Sequence, residues 1–338
     1  MSREVLLLRE PEIRGLLDPR ACIAAMEQAF AAYSTGQAQL PAVIHLDVPE
    51  SDVSQNRGEI HVKAGYLNGG PYYAVKIVSG FLNNPQLGLP PNDGMIVLFD
   101  ASTGVPAAFL LDNGFITDFR TGAAGAVAAK HLAREKIAAV AVIGTGAQAR
   151  YQVEMLALQR SFGEVRVWGR DPHKAQACAD DLAKHRAIPA CNFAVTESVQ
   201  EAVENADVVI TVTASPEPLV RAVWLKPGST VIAVGSDAPD KQELDVDVLA
   251  RADKIVADSI PQCLRLGEIH HAVERGAIVK EKVYAELGEI TAGLKPGRTS
   301  EDEIIVCDLT GVGVQDVAAA SLVLERAKAE GKGEKIRV

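Results

Sequence analysis

Gly144-Thr145-Gly146-Ala147-Gln148-Ala149 is the stretch of this 338-residue sequence whose spacing specifies chemistry most directly. It reads G-x-G-x-x-A. It follows the apolar run 137–143 and opens a helical pattern over 147–161. In that setting the first glycine permits a tight turn and the second lets the backbone approach a pyrophosphate. The small sixth residue lets the helix pack on the strand. The helix start offers unpaired N–H groups and the positive end of its dipole to an anion. Gly144, Gly146, Ala147 and Gln148 are therefore expected to hold the phosphates of a dinucleotide. The end of the following strand should meet the ribose, where an acid favours NAD and an arginine accommodates the 2′-phosphate of NADP. Here it reads Trp168-Gly169-Arg170-Asp171-Pro172, with no acid at Gly169. Arg170 could grip a phosphate or be a solvated loop residue, and Asp171 could bond the ribose. The cofactor is written NAD(P)H, with the preference open.

Ligands of parallel sheets bind at the carboxyl ends of the strands. Two later loops should therefore border the same ligand, Thr211-Val212-Thr213-Ala214-Ser215 and Val234-Gly235-Ser236-Asp237-Ala238-Pro239. Thr213, Gly235 and Ser236 are candidate cofactor contacts. Asp237 is a candidate acid/base group, or an ordinary turn former.

The elements that must position these residues fall into two textures. From 137 to 257 buried runs alternate with helical patterns: strands over 137–143, 165–168, 193–195, 208–212, 230–234 and 254–257. That alternation predicts a doubly wound parallel α/β sheet of the Rossmann type. Before it, the pattern predicts a helix over 11–36, antiparallel strands over 42–48, 58–66 and 72–80, and a hairpin from 95–100 to 106–111. A helix over 118–135 follows, and its run Thr121 to Ala129 has side chains small enough to lie close against another backbone. Near 304 the texture changes again: an apolar run over 304–309, a helix over 314–327 and a charged tail over 328–338, read as frayed. The expected division is 135–304 as the Rossmann NAD(P)-binding domain, and 1–134 plus 305–338 as an α+β domain.

Composition closes off other classes. Hydrophobic residues are 48% and charged residues 23%, which suits folded cores rather than disorder. The net charge of −10, from 34 basic and 44 acidic residues, argues against nucleic acid as a partner. No apolar run is long enough for a membrane span. Five scattered cysteines show neither a disulfide framework nor C-x-x-C, which suits a cytoplasmic protein. Seven scattered histidines show no metal-ligand spacing along the chain, so no metal is expected.

Together these pieces resemble the ornithine cyclodeaminase/mu-crystallin family over nearly the whole length. The likeness is carried by Gly58-Glu59-Ile60-His61-Val62-Lys63, by Thr117-Asp118-Phe119-Arg120-Thr121-Gly122-Ala123-Ala124, by the Gly144 fingerprint and by Thr211 to Thr213. It continues in Gly235-Ser236-Asp237 and Ala285-Glu286-Leu287-Gly288-Glu289-Ile290. Members of that family form or reduce C=N bonds next to a carboxylate. The resemblance implies a homodimer built by the α+β domain. It also implies that Lys63 contacts the substrate, that Arg120 clamps its carboxylate, that Thr121 meets the cofactor phosphate and that Asp237 is the acid/base group beside the nicotinamide. A basic residue common in the family soon after a proline is missing here, where Val43 follows Pro41; His45 is the nearest polar replacement and a candidate substrate contact. The expected reaction is NAD(P)H-dependent reduction of a small carboxylate-bearing imine to an amino acid. Iminosuccinate is favoured and a cyclic ketimine is next. Ornithine cyclodeamination, alanine dehydrogenase-like activity and non-catalytic binding of NADP with a small molecule are the alternatives.

Overall fold

The computed structural model describes residues 3–50, 56–81 and 83–338. It divides into two compact units, Met1–Arg120 with Gly313–Val338, and Thr121–Val312.

The first unit begins with β1 (Glu4–Arg9), α1 (Glu10–Leu16), α2 (Pro19–Ser34) and the short β2 (Ala38–Gln39). The single helix expected over 11–36 is thus two helices. Pro19 has no N–H to continue a helical ladder, and the Asp18 carboxylate accepts from Ala21 N at 2.9 Å, so a new helix starts there. Then come β3 (Ile44–Val48), β4 (Gly58–Leu67), β5 (Tyr72–Phe81), β6 (Asn92–Asp100) and β7 (Pro106–Leu111), the antiparallel series expected from the alternation. α3 (Phe115–Leu132) carries the chain past residue 120.

The second unit continues with β8 (Ala139–Ile143), α4 (Ala147–Leu156), β9 (Glu164–Trp168), α5 (Pro172–Ala183), β10 (Asn192–Val195), α6 (Val199–Val203), β11 (Val208–Thr211) and β12 (Thr230–Ala233). It is completed by α7 (Val246–Arg251), β13 (Lys254–Ala257), α8 (Ile260–Cys263), α9 (Gly267–Glu274), β14 (Val283–Glu286), α10 (Leu287–Thr291) and β15 (Ile305–Asp308). Its strands form one parallel sheet in the order β10-β9-β8-β11-β12-β15-β13-β14. The doubly wound α/β fold is therefore as expected. Every residue of β8, β11, β12 and β15 is buried, as strands covered by helices on both faces must be. The strand order reverses beside β8, whose neighbours are β9 and β11, and this is the switch point where such sheets bind ligands.

Two sequence expectations change at this end of the chain. The expected division places residues 305–309 in the α+β domain; β15 instead lies between β12 and β13 in the parallel sheet. Its uninterrupted apolar character is that of a doubly covered strand, and the first unit resumes only at Gly313. The tail is not frayed either. α11 (Gly313–Glu330) is followed by β16 (Glu334–Arg337), which pairs antiparallel with β1.

The first unit's sheet runs β16-β1-β7-β6-β5-β4-β2, with β3 also on β4. One face is packed: Leu8, Ile96, Leu98 and Leu110 are fully buried, as are Ile13, Leu16, Met26 and Phe30 of the helices. α11 lies directly on β4 because both contact points are glycines. A Cβ at Gly313 would stand 2.9 Å from Ala64 O, and one at Gly65 would stand 3.0 Å from Val317 Cγ2 of α11. The opposite face leaves Ile44, Leu46, Ile77 and Met95 exposed. Among the described residues no helix is long and apolar enough to cross a membrane.

Candidate active site

In the second unit the candidate residues gather at the ends of β8, β9, β11 and β12. Gly144 has φ +129°, and a Cβ there would lie 2.8 Å from Val212 O, so both conformation and space demand glycine. Gly146 caps α4 without a side-chain cap, and a Cβ added to it would meet nothing within 4 Å. The start of α4, with Ala147 and Gln148 in its first turn, thus has no side-chain cap and open space beside Gly146. Arg150 steadies the turn by donating from Nη1 to Thr145 O at 2.8 Å and Gly146 O at 3.2 Å. Gly169 is needed for the same close fit, since a Cβ there would fall 2.5 Å from Thr145 Cγ2. A cavity of about 520 Å³ sits on this turn, lined among others by Thr145, Trp168, Arg170, Lys174 and Thr213. Asp171 also lines it, but its Oδ1 accepts from His173 N and Lys174 N and so caps α5. The glycine cradle, the uncapped helix start and two basic side chains at the ribose end fit a dinucleotide's pyrophosphate and ribose.

Thr121 lies where α3 meets α4. Its carbonyl accepts from Gln152 Nε2 at 3.0 Å. Cβ atoms at Gly122 and Gly125 would clash with Tyr151 and Gln152, so the run of small residues serves the close approach expected of it.

The loops after β11 and β12 are joined by a residue that sequence reasoning missed. Glu243 Oε1 accepts from Thr213 N at 2.5 Å and Thr213 Oγ1 at 2.7 Å, and Oε2 accepts from Gly235 N at 2.9 Å. Gly235 has no room for a side chain, because a Cβ would stand 2.1 Å from Thr213 O. Burial pushes the Glu243 carboxyl up to about 7 against the pull of these hydrogen bonds. Nothing local marks Glu243, which lies 30 residues from Thr213. Ser236 is buried and donates from Oγ to Lys241 O. Asp237 is more than half exposed, with Oδ1 2.6 Å from Lys241 Nζ.

In the first unit a charged cluster lies under α11. Lys63 on β4 and Lys76 on β5 are direct cross-strand partners and share a face. Lys76 Nζ donates to Asp316 Oδ1 at 2.8 Å, and Arg120 Nε donates to the same oxygen at 3.0 Å. Arg120 Nη1 also donates to Gln315 Oε1 at 3.1 Å. Lys76, Arg120 and Asp316 are each at least 95% buried. Asp316 Oδ2 is buried with no hydrogen-bond partner among the described residues. Burial alone would raise the Asp316 carboxyl, but Lys76, Arg120 and Lys63 hold it below the usual carboxylate range. Burial drives the Lys76 ammonium down to about 7, with Asp316 opposing and Arg120 and Lys63 assisting. Asp112, raised to about 6 by burial, accepts from Ile116 N at 2.8 Å. The family resemblance singles out Lys63 and Arg120, whereas no motif marks Lys76, Gln315 or Asp316.

His45 is exposed on β3, opposite His61 on β4. Spacing along the chain gives no sign of this pairing, because the two histidines lie on different strands. Antiparallel register brings His45, Glu59 and His61 together, with ligand atoms within 4.8 Å of one another.

A doubly wound parallel sheet with a glycine-built anion cradle at its switch point defines a Rossmann-type nucleotide-binding protein. More particularly, the chain belongs to the ornithine cyclodeaminase/mu-crystallin family, which it matches over residues 3–331. It is 37% identical to an archaeal alanine dehydrogenase dimer with bound NAD, each chain covered to 99%, with a TM-score of 0.90. It is 32% identical to the Δ1-pyrroline-2-carboxylate reductase of Thermococcus litoralis in complex with NADH and L-proline; the TM-score is 0.91, covering 98% of this chain and 100% of that one. It is 31% identical to the iminosuccinate reductase of Paracoccus denitrificans in complex with NAD+, with a TM-score of 0.88 and coverage of 99% and 100%.

Proposed function

We propose that the protein is an NAD(P)H-dependent reductase of a small carboxylate-bearing imine, with iminosuccinate the favoured substrate and a cyclic ketimine next. The observation that carries this reading is the cluster under α11, where three basic side chains, Lys63, Lys76 and Arg120, share one carboxylate, Asp316. A cluster of three cations, two of them at least 95% buried, suits an anionic substrate. The family's reductases support the reaction class.

Gly144, Gly146, Ala147, Gln148 and Thr121 would hold the dinucleotide phosphates. Arg170 and Asp171 would lie at its ribose, and Thr213, Gly235 and Ser236 along its nicotinamide end. When bound, the nicotinamide supplies the hydride. Lys63 and Arg120 fix the substrate carboxylate, which turns the encounter into an oriented one. Asp316 and Gln315 hold the Arg120 guanidinium in place. His45 on β3, two positions after Val43, would border the substrate on the same sheet face as Lys63. Asp237 holds or delivers the proton of the imine nitrogen, after its carboxylate leaves Lys241.

The test follows NADH and NADPH oxidation with oxaloacetate, pyruvate and glyoxylate, each with and without excess ammonia. Oxidation with oxaloacetate plus ammonia, and none with oxaloacetate alone, is the expected result. Preference for pyruvate plus ammonia would favour an amino acid dehydrogenase, the second reading, which the likeness to alanine dehydrogenase supports. Silence, with proline made from ornithine and NAD+, would replace both with cyclodeamination. Asp237→Asn should depress kcat far more than cofactor affinity; an unchanged kcat removes Asp237 from the chemistry.

We also propose a homodimer through the open sheet face of Ile44, Leu46, Ile77 and Met95, because contiguous exposed apolar residues mark interaction surfaces. Sedimentation should report twice the chain mass, and Leu46→Glu should shift it toward the monomer.

A further inference from the structure

The register of β3 and β4 sets His45 directly opposite His61 and Asp47 directly opposite Glu59. Side chains alternate along a strand, so these four residues occupy one face. His45 Nε2 lies 3.3 Å from Asp47 Oδ1, and His61 Nε2 lies 3.6 Å from Glu59 Oε2. The two imidazoles meet edge to face, with centroids 4.7 Å apart. On the other side of β4, the residue opposite Glu59 is Gly80, so no side chain from β5 crowds that carboxylate.

We propose that His45, Glu59 and His61 form a binding site for one divalent transition-metal ion of the zinc class. Two imidazoles and one carboxylate are the donor set of open zinc sites, which keep a further position for water or an anion. Imidazole donors select zinc, cobalt, nickel or copper over calcium and magnesium, which demand oxygen. Bonds of about 2.0–2.2 Å require donor atoms closer than the 4.8 Å found here, and side-chain rotation on a fixed pair of strands supplies that contraction. The backbone is already set by five consecutive cross-strand pairs, from Ile44 with Val62 to Val48 with Gly58. Asp47, against the His45 ring, is placed as the outer carboxylate that orients a ligating imidazole. His61 is the least exposed of the four and anchors the set. The open position faces the same side of β4 as Lys63, two residues on, so an anion taken by the metal would also feel that ammonium.

The experiment strips the full-length chain with chelator and titrates Co²⁺, reading its visible absorption and the heat of binding. One Co²⁺ per chain with d–d bands is expected, and Zn²⁺ should displace it. Loss of an outer carboxylate alone costs about 10–100-fold in metal affinity, so His61→Ala should weaken Co²⁺ by at least about 100-fold. Glu59→Gln, which keeps the side-chain shape, should also weaken it. His185→Ala, at the pair His185–Glu154 in the other unit, should leave it unchanged. Absence of binding to the native chain, or equal binding by His61→Ala, overturns the site. The readout is the metal rather than turnover, so the outcome stands apart from the proposed reaction.

Discussion

The two units build their candidate sites from different materials. In the second, backbone does most of it: Gly144, Gly146 and Gly235 remove side chains, the start of α4 presents N–H groups, and one carboxylate, Glu243, ties two loops together. In the first, side chains do it: Lys63, Lys76, Arg120 and Asp316 come from β4, β5, α3 and α11, and all but the half-buried Lys63 are at least 95% buried. A backbone cradle tolerates exchange of most of its neighbours but not of its glycines. A buried charge cluster fails when any single member is lost, because the remaining charges are then uncompensated.

That contrast can be broken at its strongest point first. Asp316→Asn leaves Lys76 and Arg120 buried without their shared anion and should cost about 3–5 kcal/mol, read by urea unfolding. A loss under about 1 kcal/mol would mean that the cluster does not depend on its anion. Gly144→Ala is next. Strain at φ +129° and the contact with Val212 should cost about 2–3 kcal/mol and weaken NADH binding at least tenfold, read by fluorescence titration. Glu243→Gln places an amide N–H₂ against backbone donors and should cost about 1–2 kcal/mol. It should also flatten a pH dependence. The Glu243 carboxyl is raised from 4.5 to about 7, so its contribution to stability is fully present below 4.5 and is lost as pH rises through 7. Unfolding midpoints of wild type and variant should differ in slope across that window. Smallest is Arg170→Ala: an exposed charge at the ribose end should change NADPH affinity by about two- to fivefold, more than NADH affinity.

The same contrast explains what could be read from sequence. The cradle is six consecutive residues between a buried strand and a helix, so its meaning is local. The charged cluster joins residues 63, 76, 120 and 316. Lys76 looks like any lysine on an alternating strand, and only the register with Lys63 and the descent of α11 onto β4 reveal its burial. Arg120 and Lys63 were visible through the family resemblance, whereas their partners Asp316 and Gln315 sit in a helix that carries no motif. Glu243 was hidden for a related reason: its hydrogen bonds run to loops whose closeness is set by sheet order. β15 was assigned to the wrong unit because its neighbours β12 and β13 are joined to it only by tertiary pairing.

The pairing of β16 with β1, and the seat of α11 on β4, fix an order of events during synthesis. Residues 121–312 are contiguous, so all of the second unit's segments emerge in one uninterrupted stretch. Those of the first unit do not: Lys76 and Arg120 wait for Asp316, and the edge of β1 waits for Glu334 to Arg337. At about 5–20 residues per second, the ribosome takes roughly 10–40 s to translate the intervening segment. Through that interval the nascent N-terminal sheet carries an open strand edge and two cations that have yet to meet their anion. Chaperone dependence of this protein should therefore concentrate on residues 1–120 and disappear when residues 313–338 are supplied early, as in a circular permutant that begins at Gly313.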